Sequence, residues 1–255
     1  MGWYKKQFEN DLDARNENKE EQVARHDPLS GLWTRMFLDN LKLLVTLLPF
    51  LFLFTAYMIT GVLIFFVGAM LLLSLAGPAV SAQFDFAYTV ARDDPASTGR
   101  TFLQSYRLNF KQGTLFMLLV SLMITPTLLT MIYVAPTESA TPMMTATLML
   151  ISLLVIWFAH LGFSQIALLD MPLGKIIKNA VFLIPISKWK GLLVALLSVL
   201  YLIVLYSYME RAVLTLAVYI PTLLIVFAAR LFWPLFEELI IVPDEETENK
   251  KEDAV

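Results

Sequence analysis

The sequence contains no cysteine, which excludes disulfides, thiolate metal sites and thiol nucleophiles. Its two histidines, His26 and His160, stand too far apart for the paired-histidine helix of a zinc hydrolase. A glycine-rich phosphate loop ending in lysine is missing, and no serine has an activating base close to it in sequence. Charge is scarce, at 16% of residues with a formal net charge of -3, so the basic face that a nucleic acid demands is also missing. These absences predict a chain that is not an enzyme and takes no cofactor, no metal and no nucleic acid.

What is abundant is apolar surface. Hydrophobic residues make up 58% of 255 residues, and the mean hydropathy is +0.67. A soluble domain of this length could not bury that much, so the lipid bilayer is the expected solvent. The first forty residues are polar and of mixed charge. A cleavable signal is therefore not expected, and the first span should remain as an anchor.

One crossing needs about 20 apolar residues. Runs at 114–134, 145–169, 192–209 and 213–236 each supply one. The stretch from Leu41 to Pro78 would be about 57 Å long as a single helix, nearly twice the hydrocarbon thickness. It divides into two spans, 41–57 and 61–78, with a turn between Tyr57 and Gly61. The expected fold is an all-α bundle of six transmembrane helices over residues 41–240. A polar segment 1–40 precedes it and an acidic tail 241–255, expected to be disordered, follows.

Charge bias gives this arrangement a direction. Lysine and arginine number seven up to Lys42, four in 79–112, four in 170–190, one at Arg211 and three from Arg230 onward, with none in 135–141. Six spans with the N-terminus inside put all of these except Arg211 on the cytoplasmic side, as positive-inside asymmetry requires. Five spans would divide them almost evenly. The expected location is a plasma membrane, crossed several times, with both termini cytoplasmic.

Two cytoplasmic loops are long enough to carry helices. In the first, 79–92 and 101–111 are separated by Asp93-Asp94-Pro95 and Ser97-Thr98-Gly99. Phe102, Tyr106 and Phe110 form an aromatic stripe opposed by Gln104, Arg107 and Lys111. In the second, Leu173, Ile176, Ile177 and Ala180 alternate with Lys175 and Lys178, and Lys188-Trp189-Lys190 marks the return to the headgroups. Each segment reads either as an interfacial helix lying on lipid or as a docking surface for a partner. Candidate contact residues are Phe102, Tyr106, Asn109, Phe110, Ile176 and Lys178. A further apolar face, Trp3, Tyr4, Phe8 and Leu12, lies in the N-terminal segment.

Polar groups within the spans are the other candidates. His160 has Trp157 one turn before it and Ser164 and Gln165 about one turn after. They read either as a solute or proton path or as helix-to-helix hydrogen bonds. Arg230 lies near the inner end of the last span and Glu210-Arg211 in the outer turn, both suited to anchoring. Asp85 sits among Phe84, Phe86 and Tyr88 beside the inner surface. Pro49, Pro126 and Pro221 interrupt three spans, where they kink the packing or line a cavity.

The run Ala76-Gly77-Pro78-Ala79-Val80-Ser81-Ala82, the break Arg92-Asp93-Asp94, and the segment from Thr101 through Phe102, Tyr106 and Asn109-Phe110-Lys111-Gln112-Gly113 resemble the YesL-like family of bacterial membrane proteins. The resemblance extends through 169–180 and the final span, covering roughly 29–240. It differs from the usual family pattern in the residues between Phe50 and Leu75. It implies an accessory role in carbohydrate uptake beside the permease subunits of ABC sugar importers, with no assigned catalytic or ligand residues. The loop 170–185 has Gly174 but lacks the Glu-Ala-Ala of an ATPase-docking loop. A stand-alone solute transporter or channel is the alternative.

Overall fold

The computed structural model describes residues 28–92, 100–134, 137, 141–169, 171–207 and 213–241. The N-terminal face at Trp3, the 93–99 break, the Glu210-Arg211 turn and the acidic tail lie outside them. The described chain is helical: α1 (Pro28–Thr60), α2 (Leu63–Leu73), a 3-10 turn (Ser74–Ala76), α3 (Gly77–Ala91), α4 (Phe102–Leu108), α5 (Phe110–Tyr133), α6 (Pro142–Leu168), α7 (Leu173–Ser207) and α8 (Val213–Phe236), closed by a π turn (Glu237–Ile241). Six stretches are long and apolar enough to cross a bilayer. The protein is a multi-pass helical membrane protein.

The turn expected between Tyr57 and Gly61 is present. Helix α1 ends at Thr60, and Gly61 takes a φ of 68°, a left-handed conformation that glycine adopts without steric cost. Its N–H donates to the Tyr57 carbonyl at 2.7 Å, closing the helix end. Beyond the turn, Phe66 and Met70 of α2 pack on Tyr57, and Leu128, Leu129 and Ile132 of α5 complete the cluster.

Two boundaries differ from the sequence reading. Helix α1 begins at Pro28, so the polar segment 1–40 ends inside the bundle, with Met36, Asp39 and Asn40 buried. The second span does not stop at Pro78. It runs on as Leu63–Ala91, a 29-residue apolar stretch. The segment 79–92, expected as a helix within a cytoplasmic loop, is a helix, but it lies at the centre of the fold, where α3 packs on α1, α4, α5, α6 and α8. Its hydropathy is diluted by Ser81, Gln83, Asp85 and Thr89, but those groups are each hydrogen-bonded within the protein. In a membrane bundle such polar residues mark helix contacts as readily as surfaces.

The main core lies where α3, α5, α6, α7 and α8 meet. Phe116 of α5 is enclosed by Phe158 and Phe163 at ring separations of 5.3 and 5.0 Å, the second edge-on, a favoured aromatic geometry. Tyr88 of α3 stands edge-on to Phe236 at 6.1 Å.

Helix α7 is bent at Lys188, whose φ of 43° and ψ of -129° lie where β-carbon-bearing residues are strained and glycine is not. The bend divides a lysine-bearing first half from the uncharged run 191–207, about 26 Å at helical rise. Lys188→Gly is expected to raise stability by about 1 kcal/mol, the low end of such strain. Thermal unfolding in detergent measures it. A lower melting temperature would show that the bend is held without strain.

Candidate functional site

The polar groups of the membrane interior are placed by α1, α3, α6, α7 and α8. Asn40, Gln83 and Thr222 are completely buried where α1, α3 and α8 meet. The Gln83 Nε2 donates to Asn40 Oδ1 at 2.8 Å, and the Thr222 hydroxyl donates to the same oxygen at 2.7 Å. One carbonyl oxygen thus uses both lone pairs to join three helices separated by up to 182 positions in sequence.

A second group links α6 to α7. His160 Nε2 lies 2.9 Å from Ser198 Oγ, and the Ser198 hydroxyl donates to the Val194 carbonyl at 2.9 Å. The serine proton being committed, the histidine must donate, which leaves Nδ1 as a bare acceptor in the neutral ring. Nδ1 is buried and has no hydrogen-bond partner among the described residues. Phe84 of α3 meets the ring edge-on at 5.7 Å. One turn earlier the Trp157 indole N–H donates to Ser187 Oγ at 3.0 Å, and Ser187 donates to Ile184 O at 3.1 Å. Gln165, fully buried, donates to Leu161 O at 3.2 Å, and its Oε1 is without a partner among the described residues. Arg230 is exposed on α8 beside the buried Ala228 and Ala229.

A third group fastens α4 to the bundle. Thr101 and Gln104 form a reciprocal capping box, with Thr101 N–H donating to Gln104 Oε1 at 2.9 Å. The Ser105 hydroxyl donates to Asp85, and the Arg35 guanidinium donates to the Arg100 carbonyl. Arg35 also lies over the Phe86 ring at 4.6 Å, and Lys42 over Phe102 at 5.0 Å, contacts that attract a cation to the ring face.

The residues proposed for partner contact therefore divide. Phe102 is buried against Leu43, Ala79 and Ala82, Ile176 is fully enclosed in the main core, and Asn109 is buried at the break between α4 and α5. Tyr106 is half-buried, while Phe110 and Lys178 are exposed. The intramembrane candidates are not gathered at one point, since His160 bonds to α7 and Arg230 lies on the surface of α8. The polar knot at Asn40 was missed, and Asp85, singled out beside the inner surface, was left without its partner Ser105. Their sequence signal was an amide or carboxylate among apolar residues, outside the spans read from hydropathy.

Helices α2 through α5 carry the features on which relatedness can be judged, and a family model described as a protein of unknown function, DUF624, matches residues 56–133. This segment is similar to the DUF624 family. It is the domain family of YesL-like bacterial membrane proteins, in agreement with the resemblance carried by the Gly77-Pro78 and Asn109-Phe110-Lys111-Gln112-Gly113 motifs. The DUF624 segment runs from the end of α1 to the last residue of α5 and includes Gln83, Asp85 and the α4 tether. No curated protein and no solved structure matches the chain. Among the described residues, no group of three histidine, aspartate or glutamate side chains could hold a metal ion.

Proposed function

We propose that this protein is a non-enzymatic accessory subunit that associates within the membrane with the permease of a carbohydrate ABC importer, both termini facing the cytoplasm. The observation that carries this reading is the use made of intramembrane polar groups. Asn40, Gln83, Thr222, Trp157 and His160 each bond to another helix, as in a scaffold, whereas conduction requires polar groups along a continuous path. The link to carbohydrate uptake rests on the family resemblance.

The contact face in this reading is α1. Only 11% of its most apolar stretch is buried within the chain, against 44% for Leu63–Ala91. Leu41, Val45, Leu48 and Phe52 are exposed at alternating spacings of four and three residues, a seam that suits packing along another helix. Purification of the tagged protein in mild detergent from its native membrane is expected to bring permease or ATPase subunits with it. Their repeated absence would overturn the proposal. A second reading, stand-alone solute transport, is favoured by the bare His160 Nδ1 and Gln165 Oε1. Solute flux into vesicles containing only this protein, lost in His160→Ala, would support it.

A further inference from the structure

The first half of α7 is fixed on one side and open on the other. Ile176, Ala180, Leu183 and Ser187 are buried, recurring at the helical period. Between them Lys175, Lys178, Phe182, Ile186 and Lys188 are exposed, and Trp189 is 63% exposed at the bend. Lys178 reaches back over the Phe182 ring at 5.9 Å. No aspartate or glutamate occurs in 171–207, and Asp170 is the nearest carboxylate in sequence.

The start of α5 continues this surface. Gln112 Nε2 donates to the Met171 carbonyl at 3.0 Å, which sets the Phe110-Lys111 turn beside the beginning of α7. Phe110 and Lys111 are exposed there, Arg107 is exposed on α4, and 101–134 also contains no carboxylate residue. Cations interleaved with exposed aromatic and aliphatic side chains form an amphipathic surface suited to the membrane interface, where apolar groups enter the acyl boundary and lysines meet phosphate. With four cations in 171–207, two in 101–134 and no carboxylate in either stretch, the complementary surface is anionic.

We propose that the surface formed by the start of α5 and the first half of α7 binds the headgroups of acidic phospholipids. It selects them over zwitterionic ones through Lys175, Lys178, Lys188 and Lys190, while Phe182, Ile186 and Trp189 hold the adjacent acyl region. This inference is independent of the importer association, since it concerns different helices and a different partner.

The test is native mass spectrometry of the intact protein released from mixed vesicles of phosphatidylglycerol and phosphatidylcholine in equal amounts. Wild type is expected to retain phosphatidylglycerol at least about threefold over phosphatidylcholine. The Lys175→Gln/Lys178→Gln/Lys188→Gln/Lys190→Gln variant is expected to retain the two equally. A charge-matched control, Lys5→Gln/Lys6→Gln/Lys250→Gln/Lys251→Gln, should keep the preference. Because the Lys175, Lys178 and Lys188 side chains are exposed and Lys190 is half-buried, thermal melting of the first variant should match wild type, separating lost selectivity from lost folding. Equal retention by wild type, equal loss in the control, or an unchanged preference in the first variant would each overturn the proposal. So would release of a bound protein by the first variant with no change in lipid, which would make the surface a protein interface.

Discussion

Gly77→Ala is expected to destabilise the bundle by about 3 kcal/mol, the upper end of the cost of overpacking a well-filled interior. A β-carbon at this position would lie 2.0 Å from the Gly113 carbonyl oxygen, 2.6 Å from its carbon and 2.7 Å from Met117 Cβ. The first two are backbone atoms of α5 and cannot rotate away. Helices α3 and α5 would have to separate, opening the packing around Phe116 as well. The propensity gain of alanine over glycine, about 1 kcal/mol in a helix interior, offsets only part of this. Gly174→Ala is the matching control, because its β-carbon would meet nothing within 4 Å. Thermal unfolding in detergent should therefore place Gly77→Ala far below wild type and Gly174→Ala at or slightly above it. If the two variants melted together, the close approach of α3 to α5 would not exist.

The same contact explains how the family motif becomes structure. In Ala76-Gly77-Pro78-Ala79, glycine removes the side chain that would keep α3 from α5, and proline occupies the first turn of α3, where its missing N–H costs no helical hydrogen bond. Gly113, at the end of the second motif, is the residue against which Gly77 closes. Two motifs separated by a charged break in sequence are therefore two sides of one helix crossing.

Long apolar runs made the spans legible, and the Thr60-Gly61 pair made the first hairpin legible, because both signals are local. The centre of the bundle was not. Gln83, Asp85 and Asn40 lower the local hydropathy, and a window average cannot distinguish a polar group facing water from one facing another helix. Phe102 and Ile176 misled in the opposite sense. Their helical spacing correctly indicated an apolar face, but that face is covered by the protein's own α3 and core. His160 could be placed on a helix from its neighbours alone. Its partner Ser198, 38 positions away, required the three-dimensional arrangement of α6 and α7.

Asn40 provides the sharpest test of that hidden centre. Asn40→Ala should cost about 2–3 kcal/mol, since it strands two buried donors, Gln83 Nε2 and the Thr222 hydroxyl, each carrying a penalty of about 1–3 kcal/mol that local rearrangement partly relieves. Interhelical hydrogen bonds in membranes average only about 0.6 kcal/mol, because the unfolded chain also finds partners there. An oxygen shared by donors from two other helices should exceed that value. Thr222→Ala alone should cost less, about 1 kcal/mol, since it removes a donor and leaves Asn40 bonded to Gln83. The decisive quantity is the double variant. With Asn40 absent, the threonine hydroxyl has lost the acceptor it uses in α1, so removing it should add little, and the two costs should fall short of additivity by about 1 kcal/mol. Strict additivity in unfolding free energies would mean that Asn40 and Thr222 act separately, and that α1 is held to α8 by apolar packing alone.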